Sequence, residues 1–558
     1  MFGYKPPISP RSDSNHCLNL ILHWVMACYR QHSECNLPQT APLPTRVIDF
    51  GVNETINAPV KLYESKNEHA PYLALSHCWG EQHPLATTKA TLQSMKSKIA
   101  WDIIPKNFAD AIVLARSVFA IFGIRYLWID SLCIIQDDDH DWELEAGRMS
   151  AVYSNAFCTI SADCSRNSDE GFFSPRSLAD YDIWGSKYRG QVRARLRPRH
   201  SWDDPIALVL GPKPLPRDPV LTRAWTLQEH LLSRRVIHFT SSELTFECRR
   251  SCACECNGSK LLTPDYSSKT SPIIVTGPES SLLNLWHCVV REYSIRHMAF
   301  SFDKLPAISG LATRFQTAGM GEYIAGLWKN NLIKELLWTM DRGTDYRYTV
   351  HRDPYQEGHS FRAPSWSWAS IDHPICYKEE HMHHASPERV KCFIIDTACT
   401  LAGPNVTGRI SSGRIRIKGP TVPATIRPYI ELSAENTPLL STSLERNGIE
   451  HTVFLDERRE KSSLWTDLEE KRMNSTMAMG LEPVEVLCLL LVEGWTDYVK
   501  RSPGGATTTH ESHWLGLALI LRRSNTAFER VAFMDFEDLN HNYDAWFNCA
   551  EQATVEIV

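Results

Sequence analysis

Glu229 is the residue of this chain best placed to do chemistry, through its spacing from Trp225 and the two polar strand ends it is expected to face. Residues 71–80 read PYLALSHCWG and residues 126–138 read YLWIDSLCIIQDD. Each is a short apolar run that stops at polar residues, Ser76-His77 in the first and Asp130-Ser131 in the second, as a buried parallel strand does. In open α/β sheets, ligand sites lie outside the carboxyl ends of the strands. In the segment RAWTLQEHLLSRRVIHF at 223–239, Trp225 and Glu229 stand at i and i+4 on one helix face, and Leu221 and Leu232 extend that face toward a sheet. An acidic residue at the border of such a face is expected beside Ser76 and Asp130. The competing reading makes Ser76 and Asp130 strand-end caps, Trp225 a core residue and Glu229 an ion-pair partner of Arg223, Arg234 or Arg235, since structural ion pairs also fill clefts.

A second set of residues is suited to soft metals. Cys28, His32 and Cys35 stand close together, and Cys248, Cys252, Cys254 and Cys256 follow far downstream. Zinc takes four such ligands in a tetrahedron. The spacing is irregular, however, and Cys and His on a half-buried helix face are more often packing residues. The chain is therefore expected to hold no resident metal, with a structural zinc at Cys28, His32 and Cys35 as the lesser reading. HMHH at 381–384, near His373 and Cys376, suggests metal on composition alone, but the flanking KEE and ASPER favour a solvated loop. HESH at 510–513 lacks the i, i+4 spacing of a metalloprotease helix. There is no GxSxG elbow, no Walker A loop and no GxGxxG after a strand. Cys133 and Cys164 have His77 as a conceivable base, yet nothing in the spacing ties them together, and buried thiols are inert.

These residues need a scaffold, and the pattern supplies one. Residues 16–35 form an amphipathic helix running into a turn, and residues 42–50 enter a strand. Tyr72 to Ser76 is a strand. Pro105 and Asn107 start a helix with Phe108, Ile112, Ala115, Phe119 and Phe122 at helical spacing, stopped by Gly123. Tyr126 to Ile135 reads as a strand. Asp139 and Asp141 open a helix carrying Trp142, Ala146, Met149, Tyr153 and Ala156 on one face, and residues 157–162 form the next strand. This β-α-β-α-β order predicts an α/β fold with right-handed crossovers and a mainly parallel sheet flanked by helices. Residues 163–217 read as an insertion with few regular signals, followed by a helix at about 218–232 and a hairpin from Val236 to Cys248.

The organisation expected is a lead-in helix and strand at 1–70 and an α/β domain at 71–256. A linker at 257–280, a helical segment at 281–384 containing PSWSWAS at 364–370, and a β-rich domain at 385–558, a small sandwich or barrel, complete the chain. At 558 residues the chain is long enough for several such units. Its 43% apolar and 22% charged residues are those of a globular protein. A net charge of −6 without a long basic patch argues against nucleic acid. Apolar runs of seven or eight residues are too short to span a membrane. The polar, Pro/Ser-rich amino terminus is unlike a signal peptide, so the seventeen cysteines are expected as reduced thiols in the cytoplasm.

The two strand ends and the WTLQE segment together closely resemble the heterokaryon incompatibility (HET) domain of filamentous fungi, over roughly residues 70–230, with PSWSWAS resembling the region downstream of it. The resemblance implies a role in fungal non-self recognition and programmed cell death. It also implies a fold similar to the Toll/interleukin-1 receptor (TIR) domain. There, a strand ending in Ser-Tyr and a helix carrying Trp-Cys-x-x-Glu frame an NAD-cleaving site, and Ser76-His77 and Trp225-Thr-Leu-Gln-Glu229 are similar to those two elements, with Thr226 in place of the cysteine. On that likeness Glu229, Asp130 and Ser76 are the catalytic candidates, and Trp79, His77, Trp225 and Arg223 the substrate-binding ones. NAD would be a substrate, with Glu229 bonding the nicotinamide ribose and stabilising an oxocarbenium-like charge and Trp79 or Trp225 stacking on a ring. The alternative the resemblance allows is a non-catalytic signalling module that acts by self-association. Either way the implied partners are further copies of the chain and a fungal incompatibility partner.

Overall fold

The computed structural model describes residues 8–36, 41–52, 54–80, 85–176, 179–185, 188–194, 217–261, 278–341, 361–377, 389–432, 438–446, 449–453, 455, 483–501, 508–538, 546–547 and 549–558. The HMHH run and most of the expected linker lie outside them. The chain divides into two compact units. One comprises Met1–Thr276 with Arg296–Met298 and Pro306–Arg314, and the other comprises Gly277–Ile295, Ala299–Leu305 and Phe315–Val558.

The first unit opens with helix α1 (Asn15–Gln31). Ser14 caps it by accepting a hydrogen bond from the Cys17 amide, and Cys17, Leu20, Ile21, Trp24, Val25 and Cys28 form its buried stripe. Strands β1 (Arg46–Asp49) and β2 (Lys61–Glu64) follow as an antiparallel pair. Strand β3 (Tyr72–Ser76) is buried along its whole length, as a central parallel strand must be. Helix α2 (Lys106–Leu114) carries the expected apolar face. It loosens into a wide turn at Ala115–Phe119 and a tight one at Ala120–Phe122, and Gly123 ends it with φ +68°. Strand β4 (Tyr126–Trp128), helix α3 (Asp139–Asn155) and strand β5 (Cys158–Ser161) complete the run. Asp138 caps α3 by accepting from the His140 and Asp141 amides. Helix α4 (Trp225–Leu232) precedes β6 (Arg235–Phe239), β7 (Leu244–Cys248) and β8 (Cys252–Cys254).

These strands form one eight-stranded sheet in the order β8-β7-β6-β5-β3-β4-β1-β2. The four central strands β6, β5, β3 and β4 run parallel, while every pairing outside them is antiparallel. The sheet is thus mixed, not mainly parallel. The reading from β-α-β-α-β was right for the centre and missed that the flanking strands arrive by hairpins or short returns, which carry no crossover helix. Three further expectations need correction. The strand starting at Tyr126 stops at Trp128, because Asp130–Cys133 forms a helical turn. The helix expected from about 218 begins at Trp225, after a separate turn at Pro219–Thr222. The insertion contains a hairpin, Ala179–Gly185 with Tyr188–Ala194.

In the second unit, helix α5 (Glu279–Ser294) is as expected. The segment YIAGLWKNNLIKELLW is not one helix: a two-residue hairpin, Tyr323–Ile324 with Leu327–Trp328, turns through Ala325 and Gly326 at positive φ, and a tight turn at Lys329–Asn331 leads into a short helix at Leu332–Glu335 before a strand at Trp338–Met340. The carboxyl-terminal part is β-rich. It comprises β9 (Phe393–Leu401), β10 (Ile410–Leu432), β11 (Pro438–Arg446), β12 (Ile449–Val453), β13 (Val484–Arg501), β14 (Thr508–Ser524), β15 (Ala527–Asp538) and β16 (Glu551–Ile557). Pairing runs β10-β13-β14-β15-β16 and returns from β16 to β10, so the five strands close a ring around Val422, Ile426, Cys488, Leu490, Ala518, Ile520 and Ala532. HESH lies within β14. All seventeen cysteines are free thiols. No helix among the described residues is long and apolar enough to cross a membrane.

Candidate functional site

The parallel centre of the sheet places a polar row along one edge. Ser76 of β3 is in register with Ser161 of β5, and Ser161 with His238 of β6. On the other side Ala74 pairs with Trp128, so Asp130 stands two residues beyond Trp128 as Ser76 stands two beyond Ala74. At the carboxyl ends of four neighbouring strands therefore stand Asp130, two residues past β4, Ser76 and Ser161, the last residues of β3 and β5, and His238, one before the end of β6. Helix α4 packs against β3 and α3 and lays Glu229 over this row.

Glu229 is only 4% exposed, and its carboxyl group lies beside the hydroxyls of Ser76 and Tyr153. Burial pushes it up to about 7, the charge of Asp130 adds to that push, and the two hydroxyls and the charge of Arg223 oppose it. The Tyr153 hydroxyl donates to the Leu75 carbonyl at 3.1 Å.

Asp130 borders the same space from a more open position, its side chain 19% exposed. Trp79 donates its indole N–H to Asp130 Oδ2 at 2.8 Å, and the Ser131 amide donates to Oδ1 at 2.7 Å. His77 is buried, edge-on to Phe108 with ring centroids 5.0 Å apart. Burial holds it down to about 4, and the pull of Asp130 falls short of reversing that. Its Nδ1 lies 3.8 Å from Asp130 Oδ1, too long for a hydrogen bond, so the imidazole is neutral and the contact is not an ion pair. Arg223 donates to the His77 carbonyl and Trp225 meets Trp142 edge-on at 6.3 Å. Trp79, Arg223, Trp225 and Trp142 are all half-buried and form the rim of the cluster.

The structure therefore brings Glu229, Ser76 and Asp130 together, with Trp79, His77 and Arg223 around Asp130 and Trp225 on the same helix as Glu229. Of the three arginines, Arg223 acts on Glu229 through its charge while donating to the His77 carbonyl; Arg234 donates to the Ser154 carbonyl, and Arg235 to Cys28, Phe157 and Asn36. Thr226, in place of a cysteine, donates to the Val220 carbonyl at 2.6 Å and lies 2.8 Å from the Arg223 carbonyl, fixing the turn that starts α4.

Three participants escaped the sequence reading. Tyr153 was assigned to the apolar face of its helix, where a phenol counts as core until its hydroxyl finds a carboxylate. Asp163 and His238 form a buried pair, Nδ1 to Oδ2 2.7 Å, with Ser161 donating to Asp163. Burial pushes His238 down, but Asp163 overrides it and raises His238 to about 8. The signal was present: the strand at 157–162 ends in a polar group, Ser161 and then Asp163, like the two strands that drew attention. Cys133 is fully buried with its thiol pushed up to about 12 by burial, and it is no nucleophile.

Among the comparisons with known proteins, neither the curated proteins nor the solved structures give a match. The family described as heterokaryon incompatibility protein (HET) matches residues 72–229, a span that runs from the first residue of β3 to Glu229 itself. Residues 72–229 are thus a HET domain, which begins and ends on the two elements that build the strand-end cluster.

Proposed function

We propose that this HET domain serves heterokaryon incompatibility as an enzyme, cleaving the bond between nicotinamide and ribose in NAD, with Glu229 facing the ribose. The observation that carries the reading is a pair of carboxyl groups in unlike surroundings: Glu229 buried beside Ser76 and Tyr153, Asp130 at the more open rim bonded by Trp79. Such a pair separates the roles of two acids at one site. In the reaction the C1′–N bond breaks and its electron pair leaves with nicotinamide. The positive charge that develops on the ribose is stabilised by ionised Glu229, and water adds at C1′ and gives up a proton. Trp79 and Trp225, half-buried at the rim, offer flat faces to a ring, and Arg223 offers charge to a phosphate. A TIR-like arrangement of these elements belongs to the same proposal.

A second reading rests on the low exposure of Glu229. A sealed carboxyl group suits a module whose self-association passes a death signal through partners. The two readings separate on purified protein. The full chain, at rising concentration and with clustering enforced by a fused oligomeriser, is incubated with NAD and nicotinamide release is measured. The enzymatic reading expects release that rises as pH passes through about 7, where Glu229 ionises, and that is absent in Glu229→Gln. Equal release from the variant removes Glu229 from the chemistry. No release from the clustered wild type leaves the signalling reading standing.

A further inference from the structure

Away from the strand-end cluster, the first unit gathers four metal-ligating atoms from two distant parts of the chain. Cys28 and His32 are one helical turn apart at the end of α1, and the chain then folds back through a tight turn at Ser33–Cys35 that returns Cys35 to the same side. His32 is the residue that ends the helix, its amide bonded to the Cys28 carbonyl at 2.9 Å, and the Cys35 amide bonds the His32 carbonyl at 3.1 Å. The fourth atom comes from Cys248, the last residue of β7, where the hairpin to β8 begins. The ligand atoms of Cys28, His32, Cys35 and Cys248 all lie within 4.8 Å of one another.

The geometry points to a structural Cys3His zinc centre formed by Cys28, His32, Cys35 and Cys248, which fastens α1 to the β7–β8 hairpin. Three observations carry it. A tetrahedron built on ordinary Zn–S and Zn–N lengths has edges of about 3.6–3.8 Å, and His32 Nδ1 lies 3.5 Å from Cys248 Sγ. The sulfurs are also furnished as thiolate acceptors. Cys248 Sγ takes the backbone N–H groups of Arg250 at 3.5 Å and Ser251 at 3.2 Å, and Cys28 Sγ takes Arg235 Nε at 3.2 Å. Three thiolates, a neutral imidazole and Zn²⁺ sum to one negative charge, and the Arg235 guanidinium balances it. Such donors in the outer shell orient the ligands and tune them.

Packing alone does not produce this arrangement. A thiol that merely fills space turns its sulfur toward apolar atoms, whereas here the polar ends of four side chains face one another. The three cysteines are buried and His32 is half-buried, so the ligand set is closed, as structural zinc sites are. Cys254 and Cys256 belong to a different group, with Glu243, which is why the sequence spacing of all seven residues looked irregular.

The test is the metal content of the full chain, purified under reducing conditions without chelator and measured by inductively coupled plasma mass spectrometry. Stoichiometric zinc is expected in the wild type, lost in Cys248→Ser and Cys35→Ser and kept in Cys252→Ser. Replacement by Co²⁺ in the wild-type chain is expected to give a thiolate-to-cobalt charge-transfer band and tetrahedral d–d bands, a readout that needs no variant to fold. A metal-free chain whose Cys28, Cys35 and Cys248 thiols react freely would overturn the proposal. So would zinc that survives Cys248→Ser but is lost in His230→Ala, since His230, His238 and Glu247 form another group of candidate ligands.

Discussion

Two clusters in the first unit bury polar groups, and they do so on opposite terms. At the strand ends Asp130 is hydrogen-bonded by Trp79 and the Ser131 amide and Glu229 lies beside the Ser76 and Tyr153 hydroxyls, and the Glu229 carboxyl group sits near its own titration point, so its charge can change at little cost. At the foot of α1 the four ligand atoms face each other, an arrangement that the proposed zinc would complete. The first is built to change state, the second to hold one. Buried polar groups cost several kcal/mol unless satisfied, so each cluster answers the same penalty, one with hydrogen bonds and one with a metal.

The largest expected effect comes from breaking the second cluster. Cys248→Ser, or removal of metal by a chelator, is expected to destabilise the unit by several kcal/mol, the scale of losing a structural metal, read as a lower urea midpoint and early proteolysis within α1. Next is Glu229→Gln. Between the unfolded value of 4.5 and about 7, the folded chain holds a proton that the unfolded chain releases. The stabilising contribution is therefore complete below pH 4.5 and is lost as pH rises through 7. The glutamine variant lacks this dependence. It is expected to exceed the wild type in stability by about 3 kcal/mol at pH 8 and to lose that advantage as pH falls below 4.5, as measured by urea unfolding across pH. Trp79→Phe removes the indole bond to Asp130 and is expected to cost about 1 kcal/mol, with the metal content unchanged. The smallest change is in Asp130→Asn. Without the charge that helps raise Glu229, the pH midpoint of nicotinamide release is expected to move down.

How much of this was legible in the chain depends on the range of the interactions involved. The strand ends at Ser76 and Asp130 and the Trp225–Glu229 spacing are local patterns, and they located the cluster. Tyr153 was read as core because its helix periodicity says only which way the side chain points, not what its hydroxyl will meet. The edge strands β1, β2, β7 and β8 turned a parallel sheet into a mixed one, because pairing direction follows from long-range docking and not from alternation. The thiol cluster shows the same limit. Cys28, His32 and Cys35 are close in sequence, but their fourth partner arrives from a hairpin that no spacing rule connects to α1.

The central claim, that Glu229 is a chemical group and not a structural one, is tested most directly in cells. NAD is measured after inducible expression in a fungal host of the wild-type chain and of Glu229→Gln, at matched protein abundance. The account predicts that the wild type drains NAD before growth stops and that Glu229→Gln leaves both unchanged. Growth arrest with NAD intact, or equal depletion by the variant, would contradict it.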